Sequence, residues 1–281
     1  EEVPMFDLII SGGKVVDGSG GKARLADVAI NGDKTVGVGD YANQASTRTV
    51  DASGCLVTPG WVDVHTHYDG QATWDPLLAP SSWHGVTTAV MGNCGVGFAP
   101  VKPGEEGFLI QLMEGVEDIP GTALSEGIDW QWEHFPEYLD ALDTMPRAID
   151  VAAQVPHGAV RSYVMGERCN TDELPTDADI EAMAKIVREG LEAGAVGFST
   201  SRTFLHKDVN GVLVPGTNAP ADEMRALGYA MKGLDHGVFE LVSDHLGNED
   251  EVKWVIDVGQ ESGRPITVVW TSFEAFTEGN F

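Results

Sequence analysis

Strand-like and helix-like segments alternate along the chain from Gly60 onward. Short apolar runs rich in β-branched residues are separated by stretches of helical period, and the strand candidates are Gly60–Val64, Val86–Gly92, Ala148–Val155, Ala195–Ser199, Val238–Val242 and Ile266–Trp270. This alternation is typical of parallel β-α units. A closed (β/α)8 barrel needs eight such strands. We therefore predict an α/β TIM-type barrel over residues 59–281, incomplete in this chain with about six strands.

The clearest helix prediction covers Asp177–Ala193. Thr176 and Asp179 have the spacing of a capping box, and Gly194 stands where the chain must leave the helix. Apolar residues recur between them at helical spacing. Weaker patterns predict two further helices, at Ala221–Lys232 and Asp250–Glu261.

Residues 1–58 have no helical pattern. Asp7–Ile10, Lys14–Val16, Asp27–Ile30 and Thr35–Val38 have strand character, and Gly-Gly, Asp-Gly and Asn-Gly pairs between them are hairpin signals. We predict a small antiparallel module here, forming part of a β-sandwich that precedes the barrel.

The stretch Pro103–Asp140 does not fit a simple β-α unit. It is long and aromatic, and residues 101–145 hold eleven acidic residues against Lys102 alone. Long loops after barrel strands usually carry function or cover a site. A solvated excursion with a small hydrophobic anchor is an equal alternative.

Composition excludes several partners. The chain has 17 Lys and Arg against 44 Asp and Glu, a net charge of −27, which opposes binding to nucleic acid or to an anionic membrane. No apolar run approaches the length of a membrane span. Cys55, Cys94 and Cys169 are odd in number and far apart, which favours reduced thiols. Because the N-terminal residues also lack a signal-peptide pattern, we expect a cytoplasmic protein.

Two histidines end the first barrel strand. On an extended strand, His65 and His67 point to the same side and can reach one ion. Cys94 follows the second strand, and the carboxyl ends of neighbouring parallel strands meet at one edge. Two imidazoles and a thiolate suit Zn²⁺ better than Mg²⁺ or Ca²⁺. The alternatives are two solvated histidines and a buried, inert cysteine.

A family resemblance supports the metal interpretation. Thr58–His67 resembles the opening signature of the metal-dependent amidohydrolase superfamily, while Gly85–Thr88, Gly92–Gly95 and Gly194–Thr200 resemble its N-acyl-D-amino-acid deacylase (D-aminoacylase) branch. The resemblance implies a small β-sandwich beside a (β/α)8 barrel, Zn²⁺ in the barrel mouth and amide hydrolysis. It also implies a chain about twice as long, whose C-terminal half closes the barrel.

The chain departs from that branch at two points. The resemblance implies two more histidine ligands, after the fifth and sixth strands. No histidine occurs in the sixth, and His245 falls late in the fifth, which leaves Glu240, Asp244 and His245 as alternative ligands. The catalytic aspartate implied by the resemblance would lie beyond Phe281, so no catalytic residue is assigned.

Other polar residues near strand ends are candidates for substrate contact or for orienting the metal ligands. Arg202 could hold a substrate carboxylate through a forked pair of hydrogen bonds, although a structural ion pair is the alternative. His157 and Ser199 lie near the same edge as substrate candidates. Asp63 and Asp69 flank the histidines and could orient them.

These features predict a zinc-dependent amide hydrolase that removes the acyl group from N-acyl-D-amino acids. The expected partners are that small-molecule substrate and the C-terminal half of the same enzyme, on the same or a separate chain. One alternative is another amidohydrolase acting on cyclic amides or dipeptide-like bonds. The second is an inactive half-chain that needs a C-terminal partner chain to complete the barrel.

Overall fold

A computed structural model describes residues 5–171 and 173–269. The chain divides into two compact units, one up to Trp61 and one from Val62 onward. Each unit has its own sheet.

The N-terminal unit is one mixed sheet with strand order β3-β2-β1-β4, and β5 also pairs with β1. Neighbours β1–β2 and β2–β3 are antiparallel, whereas β4 and β5 run parallel to β1. The prediction of a purely antiparallel module is therefore wrong, and the second layer of the predicted sandwich stays a prediction. The strands are β1 (Phe6–Val15), β2 (Arg24–Asn31), β3 (Lys34–Gly39), β4 (Ser46–Asp51) and β5 (Leu56–Val57).

Gly12 and Gly13 do not form the predicted turn. Strand β1 continues through them with a bulge, because its register with β2 shifts between Ile10 and Gly13. Gly12 has φ +72°, and its N–H donates to Asp27 Oδ1 at 2.8 Å. A glycine pair that signals a turn in the sequence thus serves as a bulge, since a buried carboxylate on β2 binds the extra residue.

Within the described residues, a second sheet has six strands in sequential order from β6, which begins at the boundary residue Trp61, to β11. Strands β7 to β11 pair in parallel, and consecutive strands that lie side by side form the first part of a curled barrel sheet. The strands are β6 (Trp61–Asp63), β7 (Val86–Met91), β8 (Asp150–Pro156), β9 (Gly197–Arg202), β10 (Val238–Ser243) and β11 (Ile266–Val269).

Helices accompany these strands. The prediction for α5 is confirmed at both ends, with Thr176 and Asp179 forming the capping box and Gly194 in the left-handed region at φ 119°. No helix in the described part of the chain is long and apolar enough to cross a membrane. The helices are α1 (Glu106–Glu117), α2 (Gly121–Gly127), α3 (Phe135–Asp143), α4 (His157–Met165), α5 (Asp177–Ala193), α6 (Ala221–Tyr229) and α7 (Glu249–Ser262).

The excursion after β7 is helical, so its interpretation as a long loop is wrong. Helix α1 buries Leu109, Leu112 and Met113, and α3 buries Phe135 and Tyr138. Apolar residues three and four apart share one helix face, and here they join the barrel core. The high acid content conceals this pattern because the carboxylates occupy the remaining positions.

Gly92, directly after β7, is expected to tolerate no side chain. It has φ +75°, and a Cβ there would overlap the backbone oxygen of Gln154 on β8. Gly92→Ala in the complete protein should therefore cost about 3 kcal/mol or more, from left-handed strain plus overpacking. Urea and thermal unfolding would measure this.

Gly32→Ala is the matched control. Gly32 has φ +58° but open space around its Cβ position, so this change should cost only about 1 kcal/mol of backbone strain. Equal effects of the two substitutions would contradict the close packing of Gly92 against β8.

Candidate metal centre

The chain after β6 is anchored to the end of β7. Thr66 donates from its backbone N to Val90 O at 2.9 Å and from its hydroxyl to the same oxygen at 2.8 Å. Buried Asn93 donates to Thr66 O and to Val90 O, each at 3.0 Å. These bonds hold the two histidines beside the loop that follows β7.

Three possible metal ligands converge at this edge of the sheet. The donor atoms of His65, His67 and Cys94 all lie within 4.8 Å of one another, and this is the one such group of three or more in residues 5–171 and 173–269. Cys94 Sγ lies 3.2 Å from His65 Nε2. The imidazole rings meet edge to face, with centroids 5.4 Å apart.

The Cys94 loop is held in a sparsely populated conformation. Cys94 has φ 55°, a left-handed value for a residue with a side chain, and such strain persists only where surrounding contacts over-determine it. Cys94 N donates to Glu240 Oε2 at 2.9 Å. Gly95 N donates to Ser199 Oγ at 3.0 Å, and that hydroxyl donates to Gly92 O. Side chains from β9 and β10 thus determine where the thiol points.

Burial favours the neutral forms of the ionisable groups. It lowers the pKa of His67 to about 3, and the nearby imidazoles of His65 and His206 lower that pKa further by charge repulsion. It raises the pKa of the Cys94 thiol far above its usual range, and raises the pKa of Asp69 and Glu240 to about 7 each. A divalent cation would reverse this preference for the thiol and carboxyl groups, because it stabilises the thiolate and carboxylate forms.

The residues present fit a zinc ion. Oδ2 of Asp69 and Oε1 of Glu240 are buried without a hydrogen-bond partner. Buried polar atoms in native proteins are normally satisfied, so unpartnered ones indicate a place for an ion or a water. Imidazole nitrogen and thiolate sulfur are the donors that Zn²⁺ takes in proteins.

Glu117, which sequence reasoning did not select, also reaches this group. Its Oε1 lies 3.2 Å from His67 Nε2, and burial raises its pKa to about 7. The sequence places it among many acidic residues of the excursion and offers no signal to distinguish it. His206 is a further neighbour, with its Nδ1 2.9 Å from the Ser201 hydroxyl.

The other residues predicted to bind or orient the metal include Asp63, Asp69, Glu240 and His245, and they differ in their contacts. Asp63 Oδ1 accepts from His65 N at 3.4 Å, and Asp69 is buried. Glu240 contacts the backbone of Cys94. His245 is outside the ligand group, with its ring edge to face with Phe204 at a centroid distance of 5.3 Å.

The three predicted substrate residues make internal contacts. Ser199 uses its hydroxyl on the Cys94 loop. His157 is fully buried between Thr200 Oγ1 and Glu223 Oε1, each 2.8 Å from a ring nitrogen. Arg202 donates from Nε to Glu251 Oε1 at 2.7 Å. Their contact with substrate stays a prediction, and the observed contacts give all three a structural role.

The sequence of this chain is similar to those of several known proteins. A model described as the amidohydrolase family matches residues 48–280. The chain is 36% identical over 199 residues to a D-aminoacylase of Alcaligenes xylosoxydans xylosoxydans, covering 71% of this chain and 38% of that protein. It is 32% identical over 266 residues to an N-acyl-D-glutamate deacylase of the same organism, covering 92% and 48%. The chain thus spans less than half the length of these relatives.

Solved structures of related proteins superpose on most of this chain. A crystal structure of D-aminoacylase superposes with a TM-score of 0.73 at 29% identity, covering 94% of this chain and 51% of that one. An N-acyl-D-glutamate deacylase from Bordetella bronchiseptica, complexed with zinc and a phosphonate inhibitor, gives 0.69 at 28% identity, covering 93% and 50%. A further D-aminoacylase structure is described as having a binuclear metal center. The predicted α/β barrel fold is confirmed.

Ser199→Ala should destabilise the site loop. It would leave Gly95 N–H and Gly92 O without their buried partner, at a cost of about 2 kcal/mol or more. Urea unfolding of the complete protein measures this. Ser125→Ala is the control, since that hydroxyl bonds only within α2. An unchanged stability together with a raised KM would instead favour the substrate role of Ser199.

Proposed function

Because this chain belongs to the amidohydrolase family, we propose that it is the metal-binding part of a hydrolase that removes the acyl group from N-acyl-D-amino acids. The convergence of His65, His67 and Cys94 at the ends of adjacent strands carries the proposal. The substrate class is supported by the names of the relatives, which include D-aminoacylase and N-acyl-D-glutamate deacylase.

The donor set supports zinc as the cofactor. His65, His67 and Cys94 would hold the ion, which when bound would lower the pKa of a water and polarise the amide carbonyl. The two imidazoles are already in the neutral form that binds metals, because burial lowers the pKa of each. Glu240 and Ser199 keep the thiol in place through the backbone on either side of it.

The proposed enzyme also includes a C-terminal half, on the same or a separate chain. The family resemblance implies that this half closes the barrel and supplies the aspartate that moves the proton from water to the leaving amine. The free Cys55, Cys94 and Cys169 support a reducing compartment, and we place the protein in the cytoplasm on that basis.

A second candidate is another amidohydrolase reaction, on cyclic amides or dipeptide-like bonds. The observation that favours it is on β10, where Glu240 rather than a histidine reaches the Cys94 loop. A changed ligand set alters the charge of the centre and so the chemistry it favours. The inactive half-chain remains the alternative if no C-terminal half accompanies this chain.

His67→Ala in the complete protein should abolish acyl release and most of the bound zinc, while leaving the fold intact. One of three converging ligands would be lost. Zinc content by mass spectrometry and hydrolysis of N-acetyl-D-amino acids, with L enantiomers and cyclic amides alongside, measure the effect. His84→Ala, at an exposed position, is the matched control.

Three results would contradict the proposal. The metal centre fails if unchelated wild-type protein contains no metal or if His67→Ala retains both zinc and activity. The deacylase assignment fails if metal is present but the enzyme hydrolyses cyclic amides and none of the N-acetyl-D-amino acids.

A further inference from the structure

Helix α1 brings a carboxylate to the metal centre from outside the barrel sheet. Glu117, its last residue, lies with Oε1 3.2 Å from His67 Nε2, and the two side chains are 22% and 12% exposed. His65, His67 and Cys94 all follow β6 or β7, whereas Glu117 belongs to the acidic excursion. The contact therefore depends on how α1 is packed.

Packing holds the end of α1 close to the barrel. Gly115 is so near the backbone of Lys207 and Asp208 that a Cβ would overlap both residues. The helix then ends because Asp118 takes the left-handed conformation, with φ 55°, and its N–H bonds to Glu114 O at 3.1 Å. Helix packing therefore sets where the backbone of Glu117 lies relative to His67.

The charge around Glu117 is unfavourable without a cation. A carboxylate at a helix C-terminus faces the negative end of the helix dipole. Asp118 is the next residue, and the last turn of α1 contains no basic residue. A bound divalent cation would offset all of these unfavourable terms.

We propose that Glu117 is a ligand of the metal ion that His67 binds. Nitrogen and oxygen donors of one tetrahedral zinc ion lie about 3.3 Å apart, given metal–ligand bonds of roughly 2.0–2.2 Å, and the observed separation is 3.2 Å. A thiolate from Cys94 and a carboxylate from Glu117 would together neutralise a divalent ion in this buried place. Helix α1 thereby supplies a donor where the sixth strand candidate, Ile266–Trp270, offers no histidine. This inference rests on the proposed metal-dependent function.

Metal affinity and cobalt spectroscopy of the complete protein test the assignment. Glu117→Gln keeps the shape of the side chain but removes its charge and should weaken Zn²⁺ binding by more than about 100-fold. Loss of an outer hydrogen-bond partner costs only roughly 10- to 100-fold. In the Co²⁺ form, the d–d absorption should change because a ligand is lost, while the thiolate charge-transfer band from Cys94 persists. Glu117→Asp should recover part of the affinity.

Glu126→Gln is the matched control. It makes the same charge change in the same excursion, on α2, at an exposed position, and should bind metal like the wild type. Wild-type d–d bands in Glu117→Gln, with affinity within 100-fold of the wild type, would overturn the ligand assignment and reduce Glu117 to a hydrogen-bond partner of His67. A wild-type protein that binds neither ion would instead defeat the proposed function itself.

Discussion

The candidate metal centre depends on two side chains that reach across the sheet to the loop after β7. Glu240 accepts from Cys94 N, and Ser199 accepts from Gly95 N while donating to Gly92 O. All of these groups are buried, so each lost bond would leave an unsatisfied polar atom. The thiol therefore takes its position from β9 and β10, although it belongs to the loop of a different strand.

Polar residues at or just after the carboxyl ends of β8 and β9 pair with carboxylates on helices. Arg202 pairs with Glu251 near the start of α7, and His157 pairs with Glu223 in the first turn of α6. Such buried contacts are costly to break, because removing one partner leaves a buried polar or charged group unsatisfied. Positions at the carboxyl ends of strands thus divide between chemistry and attachment of a helix that follows the next strand, and location alone does not separate the two roles.

Local patterns predicted the regular elements well where one periodicity dominated. Helix α5 has its capping box, its apolar stripe and its terminal glycine within one contiguous stretch. Local patterns were insufficient where a residue distant in the sequence determines the local structure. Gly12 forms a bulge because Asp27 binds its N–H, and α1 forms within an acidic stretch because Leu109, Leu112 and Met113 find a core to join.

By itself the sequence determined the alternation of strands and helices and the convergence of His65 with His67. Both follow from short-range geometry, since residues two apart on a strand share one side. Cys94 could also be expected nearby, because adjacent parallel strands end at one edge. Only the tertiary structure decided that Glu117 contacts His67. It also decided that Arg202 pairs with Glu251 and His157 with Glu223. Those contacts join residues far apart in the chain, and their geometry depends on how whole helices pack.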